Sequence, residues 1–378
     1  MDNTNQPQSA VDIAQKLVPQ LAEASARLDQ EDGFIGEHYP LLKQAGLLSA
    51  GVPVEFGGKG AEVPELCEML RTLAHGCSST ALAFAMHTHQ VAVPAWRWLH
   101  QKAEPVVPLL KRIAAEDLIL LSSGGSDFIP SSGVALKVAG GYRINARKVF
   151  TSGARAGNLL MTSARVEEED GSATVVHFGL PMNSDAVSIV DTWKVLGMRA
   201  TGSNDVIIKD FFVGDKAVAF TRKAGEWHPL FHILAPIAFT LVYAVYLGVA
   251  EKAVKIAIDL AKKRHANDHL VNLVGRMENA LCGARLAHGH MLASVAKNAP
   301  GAENTNQAFI GRTLVGENCI KAVDLAIEVA GGVGFYSQAG LEQCFRDIQA
   351  ARYHPLQAGP QAQFAGATAL GFCTHKIY

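Results

Sequence analysis

Residues 134–150 read VALKVAGGYRINARKVF. Apolar and polar residues alternate on both sides of Gly140 and Gly141, the pattern of a β-hairpin. Further strand-like runs lie on either flank: LILLSS from Leu118, NLLMTSARV from Asn158, ATVVHFGLP from Ala173, VSIVDTW from Val187 and NDVIIKDFFV from Asn204. They predict a β domain over residues 118–222, a barrel or sandwich. Outside it the period changes. IAQKLVPQLAEASARLDQ and ELCEMLRTLAHGCSSTALAFAMHTHQVAVPAWRWL carry apolar residues at helical spacing and predict an all-helical domain over 1–117. After residue 223 come three long helical stretches, beginning at Pro236, Leu270 and Thr305, and a shorter one from Gly359. Long helices with short connections predict a four-helix bundle over 223–378. The fold class is α+β.

The 378 residues are 49% hydrophobic, enough for a large core, and carry a formal net charge of −1. No basic stripe stands out, so nucleic acid is not an expected partner. The six cysteines are scattered without a CxxC, which reads as reduced thiols. The N-terminal MDNTNQPQSA has no apolar h-region, so no signal peptide is expected and the location reads as cytoplasmic. Residues 230–250 hold no formal charge and are long enough to cross a bilayer. They contain His232 and Pro236 and run without a break into the amphipathic EKAVKIAIDLAKK, so a buried core helix is expected instead, with no membrane contact.

Five separated motifs carry more specific information. Gly124-Gly125-Ser126-Asp127 opens the β domain; its backbone N–H groups and the Ser126 hydroxyl can meet anionic oxygens. Lys148-Val149-Phe150-Thr151-Ser152-Gly153 puts an aromatic ring and a hydroxyl at i and i+2, on one face of a strand. Leu196-Gly197-Met198-Arg199-Ala200-Thr201-Gly202-Ser203 sets an arginine among hydroxyls, suited to an anionic group of a cofactor, a substrate or the protein itself. Arg264 closes the first bundle helix. Glu328-Val329-Ala330-Gly331-Gly332-Val333-Gly334-Phe335 lets backbone approach a ligand closely and is followed by Arg346-Asp347.

In this order the motifs resemble the acyl-CoA dehydrogenase superfamily over nearly the whole chain. The resemblance implies a flavoenzyme with FAD, FMN being the weaker expectation. Ser126, Phe150 and Ser152 would lie at the isoalloxazine, Ser152 near N5. Glu328, Gly331 and Gly332 would lie at the adenine, and Arg264 at the pyrophosphate of a neighbouring subunit, in a homotetramer. Phenylalanine stands where tryptophan is usual, and Glu328 where glutamine is usual.

Such dehydrogenases need a carboxylate base for the α-proton of an acyl thioester. After Arg346-Asp347 the family pattern Tyr-Glu-Gly-Thr aligns with His354-Pro355-Leu356-Gln357, which puts proline at the base's place. The other known position falls in IAFTLVYAVYLG, which has no acid. The resemblance therefore extends to a branch without this glutamate, the reduced-flavin monooxygenases, which form a flavin C4a-hydroperoxide. In that branch Ser152 and His354 are the candidate catalytic residues, His354 as a proton shuttle titrating near neutral pH. His87 and Arg199 are candidate substrate contacts. The pairs His228/His232 and His265/His269 lack the glutamate of HExxH, so no metal is expected. Three classes stay open: an acyl-CoA dehydrogenase, a reduced-flavin monooxygenase, and a flavin or acyl binder without chemistry. A flavin reductase or electron-transfer partner goes with the first two.

Overall fold

The computed structural model describes residues 8–265 and 267–374. The chain opens with five helices, α1 (Ala10–Gln30), α2 (His38–Gln44), α3 (Val63–Gly76), α4 (Ser78–Gln101) and α5 (Val107–Glu116). Eight strands follow: β1 (Leu120–Ser122), β2 (Val134–Val138), β3 (Gly141–Thr151), β4 (Leu159–Glu167), β5 (Ala173–Pro181), β6 (Val187–Val190), β7 (Asn204–Gly214) and β8 (Val218–Lys223). The chain closes with helices α6 (Phe231–Ala261), α7 (Asp268–Ala296), α8 (Ala302–Ala330), α9 (Leu341–Ile348) and α10 (Ala358–Leu370).

The strands form one mixed sheet in the order β6-β7-β3-β2-β4-β5-β8, with β1 parallel to β4. The β2–β3 hairpin pairs Val134 with Asn145 and Val138 with Gly141. Gly141 has no room for a side chain, because a Cβ there would press into the backbone of Val213 and Gly214.

One helix expected from the sequence is two. Cys77 is extended (φ −143°, ψ 110°) and separates α3 from α4. Apolar periodicity runs through the break, so pattern alone does not reveal it. The break has a tertiary reason: it turns the Ser78 hydroxyl onto the buried carboxylate of Asp347, at the C-terminal end of α9. α6 is the core helix, with 94% of its apolar window buried. Its one buried acid, Glu251, accepts from Arg71 on α3 at 2.6 and 2.7 Å and from Arg285 on α7 at 2.8 Å. Those cations, with His75, outweigh the cost of burial and hold the carboxyl down at about 2. The clamp fixes the bundle against the N-terminal helices.

Candidate functional site

The site begins at the end of β3. Ile144 and Lys148 face inward and are fully buried, whereas Phe150 is 38% exposed. The register against β7 shifts between Lys148 and Thr151. Thr151 points into the core, and Ser152 falls in the turn just beyond the strand. Strict strand alternation therefore does not place Ser152. It is placed by Gly153, whose N–H donates to the Thr201 carbonyl at 2.9 Å. Gly153 sits at φ +73°, and a Cβ there would lie 2.5 Å from the Tyr39 hydroxyl, so glycine is required. The Ser152 hydroxyl lies 2.9 Å from that of Ser203. The Phe150 ring leans on Trp193, centroids 5.1 Å apart.

The loop of residues 124–127 lies over this strand end. A Cβ on Gly124 would meet the Val149 carbonyl at 2.5 Å, and one on Gly125 would meet Pro355 at 2.9 Å. The two glycines thus let the loop pass between β3 and the segment after α9. The loop is anchored from below by Lys148, whose ammonium donates to the carbonyls of Ser132 (2.7 Å) and Ser163 (2.5 Å) and pairs with Asp127 at 2.8 Å. The side chain of Ser126 lies outside the described residues, so its expected flavin contact stays an expectation.

The bundle supplies the facing wall. His354 Nε2 lies 2.7 Å from the Tyr246 hydroxyl. Arg312 donates to the carbonyls of His354 (2.8 Å) and Ala351 (3.1 Å) and lies over the Tyr243 ring. Burial, then the charge of Arg312, hold the His354 imidazole down at about 4. The expectation that His354 titrates near neutrality is thereby corrected: it is a neutral imidazole at pH 7. His89, also held at about 4 by burial, is close enough to act on it.

His87 is corrected as a substrate contact. Its Nδ1 accepts from Leu120 N–H at 3.0 Å, which leaves Nε2 as the donor to the Leu48 carbonyl at 2.8 Å. Both nitrogens are spent joining α4 to β1 and the loop before α3. Arg199 donates to the Val195 carbonyl at 3.3 Å and reaches Asp32 at 3.8 Å. Of the three anions left open for it, the one in contact is a carboxylate of the protein.

The residues expected at the adenine end form a group of their own at the end of α8. Arg264 Nη1 donates to the Val329 carbonyl at 2.7 Å and lies beside Gly331 (φ +65°), where it caps the C-terminus of α8. Glu328 and Gly332 are exposed there. Gly316, against Tyr243 and Ala351, is fourteen residues before Ala330 on α8. At the rise of an α-helix that is about 21 Å. Within one chain, therefore, Arg264, Glu328, Gly331 and Gly332 form one group, and Phe150, Ser152 and His354 form another.

The carboxylates nearest the second group are committed. Asp127 is paired with Lys148 and also accepts from the Ser132 N–H and hydroxyl at 2.8 and 2.6 Å. Asp347 accepts from Ser78 and from the Met198 N–H, and its burial raises its carboxyl to about 6. The place of the usual base holds Pro355, and Tyr246 is what the first bundle helix presents beside it. Among the described residues no group of three or more His, Cys, Asp or Glu is placed to hold a metal.

A half-exposed aromatic ring, a hydroxyl beside it and a glycine loop that admits backbone closely suit a flat heterocycle with polar ring atoms. The residues present thus fit the ring of a flavin. Sequence reasoning missed Tyr246, Arg312 and Lys148. A signal existed for two of them: Lys148 falls on the inward register of β3, and Arg312 falls in the apolar row Ala308, Val315, Cys319 of α8. A charged residue in a buried row must be held by specific partners.

Comparison with known proteins agrees with this geometry. Residues 7–105 match the family described as acyl-CoA dehydrogenase, N-terminal domain, and residues 240–357 its C-terminal domain. The pigment production hydroxylase of Rhodococcus sp. is 25% identical, with 91% of each chain covered. Among solved structures, KijD3 in complex with FMN and a dTDP-linked amino-keto sugar superposes with a TM-score of 0.88 at 22% identity, over 98% of this chain and 96% of that one. FMN-bound TdsC from Paenibacillus sp. A11-2 superposes with a TM-score of 0.85 at 18% identity, over 98% and 99%.

Proposed function

Because this chain belongs to the acyl-CoA dehydrogenase superfamily of flavin-dependent oxidoreductases, we propose that it is a monooxygenase that uses reduced flavin and dioxygen to oxidise a small organic molecule. One observation carries the reading. Among the described residues, Asp127 and Asp347, the carboxylates on the segments around Phe150, Ser152 and His354, are both tied to protein donors. α,β-Dehydrogenation of a thioester has no base there. The likeness to a hydroxylase and to FMN-bound folds supports the same reading.

FMN suffices as the cofactor, since the ring-end cluster is complete in one chain. The adenine-end residues are about 21 Å off along α8, where one N–H of Arg264 donates to the Val329 carbonyl. This departs from the FAD expected from sequence. When bound, reduced flavin supplies the two electrons that reduce one atom of dioxygen to water while the other enters the substrate. Phe150 would pack on the ring, the loop of Gly124 and Gly125 would hold it with backbone N–H groups, and Ser152 would meet N5. His354, neutral and fixed by Tyr246, would orient the substrate through its free nitrogen. The apolar surfaces of α4 and α6 keep bulk water out. Reduced flavin would come from a separate reductase.

The test is twofold. Anaerobic mixing of the flavin-loaded protein with acyl-CoAs of several chain lengths should leave the flavin colour unchanged. Reduced FMN and oxygen, with a panel of phenols, indoles and organosulfur compounds, should give an oxygenated product. Rapid bleaching by any acyl-CoA would return the chain to the dehydrogenases.

A further inference from the structure

Three hydroxyls form a buried row beneath the flavin-facing surface. Thr201 Oγ1 donates to the Met198 carbonyl at 2.9 Å, an oxygen that can only accept. Thr201 has one proton and has spent it, so across the 2.7 Å contact Ser203 is the donor and Thr201 the acceptor. Ser203 has then spent its own, so across the 2.9 Å contact Ser152 donates to Ser203. Thr201 is 0% and Ser203 2% exposed, so no solvent water interrupts the row, while Ser152, at 9%, is its only end open to a ligand. The far end is fixed as well. Met198 N–H donates to the buried Asp347 carboxylate, and the Met198 carbonyl also takes the Thr201 N–H at 3.1 Å and the Trp193 indole N–H at 3.2 Å.

We infer that Thr201 and Ser203 are positioning residues that turn the Ser152 proton inward, so that Ser152 meets the flavin as an acceptor. The inference rests on the placement of flavin N5 at Ser152 proposed above. Oxidised N5 is a bare nitrogen and accepts; reduced N5 carries a hydrogen and donates. With reduced flavin the row keeps its three hydrogen bonds and gains a fourth from N5–H. With oxidised flavin it has three in either direction: pointing inward it makes none to N5, and reversed it gains N5 but gives up the Met198 carbonyl. Reduced flavin is thus favoured by one hydrogen bond, roughly threefold to tenfold in affinity. Without Ser203 the Ser152 proton turns freely and the preference disappears.

Anaerobic titration of oxidised and dithionite-reduced FMN, with the midpoint potential of bound flavin, tests this. The wild type should bind the reduced form more tightly and raise the potential by up to about 30 mV for a tenfold ratio. Ser203→Ala and Thr201→Val should bring the two affinities within about twofold and the potential back toward that of free FMN. Ser203→Thr and Thr201→Ser, which keep the hydroxyls, should retain the wild-type ratio and control for packing. A wild-type ratio in both Ser203→Ala and Thr201→Val overturns the relay. Ser152→Ala with both affinities unchanged overturns instead the placement of Ser152 at the flavin, and the relay with it.

Discussion

Replacing Lys148 with methionine should release the loop of residues 124–127 without emptying the space beneath it. The ammonium is completely buried, and each of its three protons has an acceptor: Ser132 O, Ser163 O and the Asp127 carboxylate. Burial lowers its pKa and Asp127 counteracts this, so the charge persists only through its partners. Methionine has similar volume and none of the donors. It takes the cation from a buried carboxylate that keeps only its Ser132 donors, and a donor from each of two carbonyls, a loss on the order of 3–5 kcal/mol. The loop spanning Gly124 and Gly125 hangs on Asp127, so the loss should appear as local opening. Hydrogen exchange read by mass spectrometry over residues 120–135 should accelerate roughly 10²- to 10⁴-fold. FMN affinity should fall with it. Asp127→Asn on the Lys148→Met background removes the orphaned charge and should recover about half of the loss, a coupling read from the double-mutant cycle. Exchange within threefold of wild type, with flavin affinity intact, would refute the reasoning: the ammonium would then be an ornament on a loop held by its glycines.

Other expectations are independent of that anchor. Ser152→Ala should fold normally and slow flavin turnover by one to two orders of magnitude, about 1.4–2.7 kcal/mol in the barrier; stopped-flow rates equal to wild type would make Ser152 a plain turn residue. Burial depresses four imidazoles, His87, His89 and His354 to about 4 and His177 to about 3. Their unfolded values are near 6.5, so the unfolded chain binds more protons below that pH. The stability they contribute is complete above about pH 6.5 and is lost as pH falls toward 4. Asp347, raised to about 6, acts in the opposite sense and offsets one of them. Calorimetry near pH 5 should find about two to three protons taken up on unfolding; a flat stability profile from pH 6.5 to 4.5 would contradict this. FMN and FAD should bind with equal affinity in fluorescence quenching, because the adenine half has no partner in the same chain; a large FAD advantage would show a neighbouring chain completing the site. Phe335 and Tyr336 are 86% and 71% exposed beyond α8, beside Arg264 and Gly331, and a homo-oligomer would cover them. Sedimentation should give a tetramer or dimer, weakened by Phe335→Ser with Tyr336→Ser; a monomer at working concentration would contradict this.

Much of the fold was legible because it is written in local periodicity. The alternation of VALKVAGGYRINARKVF is a property of neighbours in sequence, as is the uncharged run that makes α6 a core helix. The missing base was legible too, since a proline cannot be a carboxylate wherever it sits, whereas the strand spacing of Phe150 and Ser152 did not place Ser152, which lies in the turn beyond β3. Tertiary structure alone decided the rest. The break at Cys77 exists for a carboxylate 270 residues away in the chain. His87 and Arg264 had the right residue type and position for ligand contacts, yet both nitrogens of His87 and one donor of Arg264 are met by backbone groups from other segments. The neutral state of His354 depends on burial and on Arg312, neither of which its own neighbours in sequence reveal. The row of hydroxyls from Ser152 to Thr201 exists because the fold brings Ser203, 51 residues on, within 2.9 Å of Ser152. Sequence determines what a side chain can donate or accept; which of those capacities remains unspent depends on what folding packs against it.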